Sequence, residues 1–343
     1  MLAGLPVMLA IAIAVALVYP AFRHTRNEAD PTADGVVGLG SIVPSSAGAR
    51  SPSASASPTP SHSATPRASR SSPRAGTGSR GGGRPGASNT GPIPGRALTT
   101  VNGDQTYAKA GQVIQNVDIH GYVRITAKNV VIRNAIVRGG PVHCNASAVI
   151  EVEFGASATI EDTEIRPDHP SACLDGVWAT AVTLTRVNIH GTVDGMKADD
   201  NTTVQDSWIH DLSAFSSDPN QGGGPTHNDG IQTVGGHHIV LRHNTISVGA
   251  DANSAYQVTQ DSGSVGDLRV ESNFLDGGSC TLNFAHKGGP TPMTGISVLN
   301  NRFGRHTQFD CPIIISTQTV LSANSGNVYD DSGAAIPRPQ QHD

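Results

Sequence analysis

The chain has few aromatic side chains, 4% of its residues, and few charged ones, 15%. A coiled coil needs a surface rich in charge, so this composition excludes one and argues against a large helical bundle. Glycine and proline are abundant instead, with 39 and 22 residues. Such a composition is typical of a turn-rich fold or of a chain with an unfolded portion, and it favours β architecture.

Acidic residues are missing from residues 35–98, which carry seven Arg, whereas residues 99–343 carry 25 acidic and 14 basic side chains. The formal charges of the two regions are therefore +7 and −11. A region at −11 repels a phosphate backbone, and its Lys and Arg form no run that would follow one. Nucleic acid is not expected as a partner. Contact with anionic cell-surface polymers and simple solvation both remain open for the basic stretch.

An apolar run of 18 residues covers positions 2–19, the lower limit for a helix that crosses about 30 Å of hydrocarbon. Residues 1–22 are therefore interpreted as a cleaved signal peptide or as an uncleaved anchor. Basic residues follow the run and none precedes it, which is opposite to the positive-inside tendency. Export is still expected, because the rest of the chain looks extracellular. The protein would be secreted, or held at the membrane only by this segment.

Residues 23–97 consist mostly of Ser, Pro, Ala, Gly and Arg. A segment with so few large apolar side chains cannot offset the entropy of ordering, so it is predicted to be a disordered linker. Prolines favour an extended form, which suits a tether. The folded domain is expected over residues 98–332, with a disordered tail at residues 333–343.

A seven-residue pattern recurs along the predicted domain: small or polar, aliphatic, two polar, two variable, aliphatic. Residues 159–165 (TIEDTEI) and 240–246 (VLRHNTI) are examples. The leading aliphatic residues, 20 to 37 positions apart, are Ile132, Ile160, Leu184, Val204, Leu241, Val270 and Val298. Short strands repeated at this period predict a solenoid whose coils bury a continuous core. Asn244, Asn273 and Asn301 occupy one place in three copies, as in an asparagine ladder.

The repeat and its asparagines resemble those of right-handed parallel β-helix proteins of the pectate-lyase-like superfamily, over roughly residues 99–329. The resemblance implies an all-β fold, a single-stranded right-handed parallel β-helix of about eight coils. Proteins of this shape include polysaccharide lyases, glycoside hydrolases, esterases, phage tailspikes and surface adhesins. The fold alone therefore does not choose an activity. A monomer is expected.

All four cysteines lie in the repeat region, where three pairings are possible. Cys144 and Cys173 are 29 residues apart, and Cys280 and Cys311 are 31 apart, about one coil in each case. Adjacent coils lie within disulfide reach, which predicts the bridges Cys144–Cys173 and Cys280–Cys311. Disulfides also agree with export. Four buried free thiols are the alternative.

An Asp-Gly pair begins three related segments, at Asp175, Asp194 and Asp229. If the third residue of each segment points into the core, alternation along the strand places the fourth on the surface. The predicted surface row consists of Trp178, Lys197 and Gln232, continued by Gln257 and Asn283. Asp-Gly is also a common turn dipeptide that needs no ligand.

Titratable side chains are concentrated between residues 194 and 238. Carboxylates on coils about 4.8 Å apart lie roughly 5 to 10 Å from each other, the separation used by glycosidases. The predicted acid and base set is Asp199, Asp200, His227 and Asp229, working as the pairs Asp199–Asp200 and His227–Asp229. The doublet and the His-Asn-Asp-Gly element at 227–230 are similar to elements of polygalacturonase-type glycoside hydrolases. This similarity implies cleavage of a glycosidic bond in an extracellular polysaccharide.

Substrate-binding roles are predicted for Trp178, Asp194, Lys197, Gln232, His237, Tyr256 and Gln257. The nearest alternative to hydrolysis is a lyase, in which Lys197 removes a proton beside a uronate carboxyl and Asp residues hold Ca²⁺. No His spacing indicates zinc, so Ca²⁺ is the one cofactor left open. The rival from another class is a non-catalytic surface module that binds glycan or acts as a spacer.

Overall fold

The computed structural model describes residues 82–142, 144 and 148–342. The predicted membrane segment at residues 1–22 and the linker as far as residue 81 lie outside this part of the chain. The described residues form an all-β fold with one short 3-10 turn, Pro219–Gln221. No helix among them is long and apolar enough to cross a membrane.

The strands form two long sheets in which the paired strands are parallel. Sheet A contains β1 (Thr99–Asn102), β3 (Val113–His120), β5 (Val130–Val137), β7 (Ala158–Ile165), β9 (Val182–Thr185), β10 (Asn188–His190), β12 (Thr203–Gln205), β13 (Trp208–His210), β15 (Gly236–Arg242), β16 (Thr245–Ser247), β18 (Val265–Glu271), β19 (Phe274–Asp276), β21 (Met293–Leu299), β22 (Arg302–Phe303), β24 (Thr319–Ser325) and β25 (Val328–Tyr329). Sheet B contains β2 (Gln105–Tyr107), β4 (Val123–Ile125), β6 (Ala148–Val152), β8 (Asp175–Ala179), β11 (Met196–Ala198), β14 (Asp229–Thr233), β17 (Ser254–Val258), β20 (Leu282–Phe284), β23 (Ile313–Ile315) and β26 (Gln340–Gln341). The chain alternates between the sheets, and strands pair with those of neighbouring repeats.

The repeat pattern correctly predicted the register of sheet A. Ile132 pairs with Ile160, Ile160 with Leu184, and Leu184 with Val204. The later leading aliphatics continue the same line, from Val204 through Leu241 and Val270 to Val298. All seven side chains are fully buried. Each buried aliphatic side chain contributes roughly 1.5 to 3 kcal/mol, so the line is a main source of stability.

At the fourth residue of the pattern the chain bends between the two halves of the pattern, both of which belong to sheet A. Six copies of this position have left-handed backbone with φ between 50° and 58°: Asp162, Arg186, Asp206, His243, Ser272 and Asn300. Gly326 takes the same place in the last repeat, with φ 70°. Short polar side chains and glycine tolerate this conformation better than branched apolar ones. The polar residue in the pattern is therefore explained by backbone geometry.

The predicted asparagine ladder is present and is one residue longer than expected. The Nδ2 atom of Asn244 donates to Oδ1 of Asn273. In the same way, Nδ2 of Asn273 donates to Oδ1 of Asn301, and Nδ2 of Asn301 donates to Oδ1 of Asn327, each at 3.0 Å. All four side chains are buried. Because each amide bonds to the next, the ladder satisfies polar groups inside the fold without charge.

Both predicted disulfides are confirmed. Cys144 joins Cys173 with the Cα atoms 5.1 Å apart, and Cys280 joins Cys311 with the Cα atoms 4.7 Å apart. Each bridge spans about one repeat, as the spacing predicted. Two disulfides are consistent with an extracellular protein.

The folded part begins earlier than composition predicted. Residues 82–97, which we call the strap, lie along the outside of the sheets. The backbone N–H of Gly91 donates to the carbonyl of Arg186 at 2.9 Å, and the guanidinium of Arg84 contacts Asp330 at 3.2 Å. The strap has few apolar side chains, so composition alone assigned it to the linker. Its order comes from hydrogen bonds and an ion pair.

The predicted disordered tail is also part of the fold, as far as residue 342. Gln340 and Gln341 form β26, which pairs with β23 at the end of sheet B. Ile336 packs against the core, and its N–H donates to the carbonyl of Asn327. A single apolar residue in a polar tail gave little sequence signal, but in the fold it covers the last apolar layer.

Candidate functional site

The predicted surface row exists on sheet B. Trp178 pairs with Lys197, Lys197 with Gln232, Gln232 with Gln257, and Gln257 with Asn283. We call these five residues the outer row. The preceding residue in each strand points inward, and all five such side chains are fully buried: Val177, Met196, Ile231, Tyr256 and Leu282. Alternation along the strands therefore places the row as the sequence indicated.

The Asp-Gly pairs that precede the row have a structural task. The backbone N–H of Asp194 donates to Oδ1 of Asp175 at 3.0 Å, and that of Asp229 donates to Oδ1 of Asp194 at 2.8 Å. The glycines are needed because the strands approach closely: a Cβ at Gly176 would overlap the carbonyl oxygen of Gly195. One carboxylate oxygen of Asp175 and of Asp194 thus joins neighbouring repeats, and the other remains available to side chains.

Lys197 lies at the centre of the site. Its Nζ contacts Oδ2 of Asp194 at 2.5 Å, Oε1 of Gln232 at 2.9 Å and Oδ2 of Asp175 at 3.1 Å. An ammonium group has three N–H donors, and these three acceptors match them. The Asp175 carboxylate also accepts from Nε1 of Trp178 at 2.6 Å, and the ammonium lies 5.7 Å from the centre of that ring. The cation is therefore held between two carboxylates and an indole face.

The carboxyl of Asp229 is fully buried at the start of β14. Asn253 donates to its two oxygens at 3.0 and 3.2 Å. Burial first, and the neighbouring Asp194 second, raise the pKa of Asp229 well above its ordinary value. Burial also raises the pKa of Asp194 to about 6, although the ammonium of Lys197 opposes the shift. This end of the site can therefore hold a proton near neutral pH.

Asp199 and Asp200 follow the last residue of β11. The Asp200 carboxylate accepts the backbone N–H of His237 at 2.7 Å. Among the described residues, none donates a hydrogen bond to the Asp199 carboxylate. Burial, and then the charge of Asp200, raise the pKa of Asp199 to about 6, while Lys197 opposes the shift. Asp199 is thus a partly buried acid whose oxygens are not engaged by the fold.

The four predicted catalytic residues fall into two groups. Lys197 pairs with Gln232, so Asp229 lies three positions before this pair and Asp199 two positions after it. Five positions along a strand correspond to about 16 Å. His227 precedes β14 and belongs to the end that carries Asp229. The structure therefore keeps each predicted pair near one end of the strands, but it does not bring all four residues together.

His227 belongs to a loop at residues 211–227 that interrupts the regular spacing. Partial burial and the charge of Lys287 lower the pKa of His227, and Asp218 opposes them. Asp218 is itself buried, and its carboxylate accepts the N–H of Asn220 at 2.8 Å. Because the charge of Lys287 acts on His227, this end of the loop lies near the residues that follow β20 of sheet B.

Tyr256 was expected to stack on a sugar, and this prediction is wrong. Its ring is fully buried and lies edge-on to Phe284 with the ring centres 6.2 Å apart. Its hydroxyl is 3.1 Å from the hydroxyl of Thr233. Tyr256 occupies the inward third position of its segment, as Ile231 does in the previous repeat. The same alternation that predicted the outer row therefore assigns this tyrosine to the core.

The other predicted binding residues differ in their surroundings. His237 lies in β15 of sheet A and outside the outer row, and its Nε2 is 3.1 Å from the hydroxyl of Ser264. Gln257 belongs to the row but is only 4% exposed. Asn253, which was not predicted from the sequence, donates hydrogen bonds to the carboxylate of Asp229. Extending the ladder by one repeat would have found it, because its neighbour Ser254 pairs with Asp229.

A cleft of about 320 Å³ opens beside the end of the site that carries Asp229. Its lining includes Asp211, Asn228, Ser247 and Asp251. The described residues contain no group of three or more His, Cys, Asp or Glu placed to hold a metal ion. The polar groups near this end are instead tied to the protein itself: Nδ2 of Asn228, for example, donates to the carbonyls of Val193 and Ser213.

No family model, no curated protein and no solved structure matches this chain. Function is therefore inferred from the site rather than from a relative. The site combines a half-buried polar row, a cation between carboxylates, and acids at both ends of the strands.

Proposed function

We propose that the protein is an extracellular polysaccharide-degrading enzyme that binds glycan along the outer row and hydrolyses a glycosidic bond. We further propose that sheets A and B wind as a single-stranded right-handed parallel β-helix. The parallel pairing of strands one repeat apart supports this winding. A stack of this kind presents one side chain per repeat, about 4.8 Å apart, along a straight surface. A linear polymer is the ligand that suits such a surface.

The outer row is the observation that carries the proposal. Trp178 offers an aromatic face, and the amide of Asn283 offers both donors and an acceptor. Sugars need this combination of an apolar face and paired polar groups. Asp199 lies beside the row, two residues after Lys197 along the chain, so an acid is placed next to a polymer bound along the row.

Asp199 and Asp200 are proposed as the acid and base of the reaction. Asp199 has its pKa raised to about 6 and can donate a proton to the glycosidic oxygen. Asp200 accepts the N–H of His237 and is proposed to accept a proton from water. The bond between the sugar carbon and the glycosidic oxygen breaks, the water oxygen forms the new bond, and the leaving hydroxyl keeps the proton from Asp199. His227 with Asp229 is the second pair to be tested.

Hydrolysis is favoured over elimination by the contacts of Lys197. A lyase base must be a neutral amine when it removes the proton beside a uronate carboxyl. The Lys197 amine instead contacts carboxylate oxygens of Asp175 and Asp194, which stabilise the ammonium form. Its three donors are directed at protein acceptors. Its proposed role is to hold the row in place.

The test is to incubate the full-length protein with a panel of polysaccharides and to follow two signals. New reducing ends alone indicate hydrolysis, whereas reducing ends with ultraviolet absorbance from unsaturated uronate indicate elimination. Asp199→Asn and Asp200→Asn should remove the first signal. If both variants keep full activity, the assignment of this pair is wrong, and Asp229→Asn then tests the other end.

A non-catalytic glycan-binding module is the second candidate. The carboxylates of Asp175 and Asp194 already bond to the next repeat and to Lys197, which favours a purely structural role for that end. Such a module would retain a polysaccharide without producing new reducing ends. Retention without cleavage, unchanged in Asp199→Asn, would select this candidate.

A further inference from the structure

We infer that the outer row takes a polysaccharide without carboxylates and rejects polyuronates. The inference rests on the proposed function and concerns the same surface. It follows from whether the cations along the row already have ion-pair partners. A uronate carboxylate that leaves water needs a cation or several N–H donors in its place.

The cations beside the row are already ion-paired within the protein. Lys197 contacts Asp194 and Asp175, as described above. Lys287, which follows the strand of Asn283, contacts Oδ2 of Asp261 at 3.5 Å. A uronate would therefore have to displace a carboxylate of the protein to obtain a partner.

The same holds for the arginine that extends the row toward the start of the chain. Arg124 pairs with Glu151, and Glu151 pairs with Trp178, so Arg124 lies two repeats before the indole. Its guanidinium makes an ion pair with Glu153. Three cations near the row thus have intramolecular anions, and the surplus charge of the surface is negative.

The Asp199 carboxylate, which lies beside the row, adds an attraction for sugars without carboxylates. Asp199 accepts no hydrogen bond from the described residues, so its oxygens can receive hydroxyl or amino donors of a sugar. Above about pH 6, where Asp199 is ionised, a uronate at this position would place two carboxylates side by side, which costs free energy at low dielectric. Sugars with hydroxyl, acetamido or amino groups satisfy Asp199 without that repulsion.

A gain-of-function variant tests the inference directly. Asp261→Asn removes the anion that holds Lys287, and the released ammonium should bind a uronate. Retention of the full-length protein on immobilised polygalacturonate should increase about fivefold relative to wild type, the effect of one exposed ion pair. Asp331→Asn is the matched control, because it makes the same change in net charge while releasing Arg305 elsewhere, at 2.6 Å.

The comparison is made on immobilised neutral glucan, N-acetylglucosamine polymer and polygalacturonate, at two salt concentrations. The inference predicts stronger retention of wild type on an uncharged polymer than on polygalacturonate. Equal or stronger retention of wild type on polygalacturonate would overturn the inference and leave the proposed function standing. Equal gains in both variants would overturn it too, by showing that net charge alone decides. Wild type that is retained on no polymer, and cleaves none, overturns the proposed function and the inference with it.

Discussion

The asparagine ladder of sheet A resembles a second ladder in sheet B, the aspartate ladder formed by Asp175, Asp194 and Asp229. Both link repeats through side-chain oxygens, but they differ in charge. In both, a side-chain oxygen accepts the backbone N–H of a neighbouring repeat: Asn273 accepts from Asn244 in the preceding repeat, and Asp194 accepts from Asp229 in the following one. The asparagines complete the pattern among themselves without charge. The aspartates need an added cation, Lys197, to balance them. The first ladder is therefore self-sufficient, and the second is sensitive to pH and to substitution at one position.

The largest effect is expected where the charged ladder loses its cation. Lys197→Met leaves the buried Asp194 and the neighbouring Asp175 without an ammonium partner, which should cost about 3 to 5 kcal/mol of unfolding free energy at pH 7. The loss should shrink near pH 5, because Asp194 already has a pKa of about 6 and becomes neutral there. Urea unfolding at both pH values measures it. A loss that is equal at pH 5 and pH 7 would contradict this account.

The next effect concerns activity at Asp199, at the opposite end of the strands from Asp229. Asp199→Asn should lower the rate of cleavage about 100-fold, the usual contribution of a general acid. The melting temperature should not fall, because no described residue donates a hydrogen bond to this carboxylate. The rate of wild type should also decline as the pH rises above about 6, where Asp199 loses its proton. Initial rates and thermal unfolding of the same preparations test both points, with Asp331→Asn as the control for charge.

A smaller loss is expected in the uncharged ladder. Asn273→Ala removes the amide that bonds to Asn244 and to Asn301, so buried polar groups lose their partners at a cost of about 2 kcal/mol. This loss should be the same at pH 5 and pH 7, in contrast to Lys197→Met. Asn300→Gly is the matched control, since glycine adopts the same left-handed backbone, with φ 55°. A pH-dependent loss in Asn273→Ala would break the distinction between the ladders.

The smallest effect is expected outside both ladders, at a pair formed by an exposed imidazole and a buried carboxylate. Asp276 bonds to His306 at 2.6 Å and raises the pKa of that imidazole above its ordinary value. The pair therefore adds stability below pH 6.5, and the contribution disappears as the pH rises through the folded pKa. In His306→Gln the melting temperature should depend less on pH between 5.5 and 8.5 than in wild type. An unchanged pH dependence would show that the pair contributes nothing measurable.

Local periodicity was enough to predict the register and the outer row, because each buried aliphatic fixes the direction of its neighbours. The same periodicity assigns Tyr256 to the core, but residue chemistry drew attention to its ring first. The separation of Asp199 from Asp229 was harder to foresee, since it depends on which end of a strand each residue occupies. The strap was missed for another reason: its order depends on partners more than 200 residues away, such as Asp330 for Arg84.

The course of the strap determines where force would enter the protein. Arg84 contacts the last repeat, whereas the backbone N–H of Ile93 donates to the side-chain oxygen of Asn134 near the first. The chain therefore reaches the fold at its far end and then runs back along it. A protein held by its amino terminus would thus present its closing repeats to the support and its opening repeats to the surroundings. Tension on the chain would act first on the ion pair between Arg84 and Asp330. This ion pair would break before any strand is pulled from its sheet.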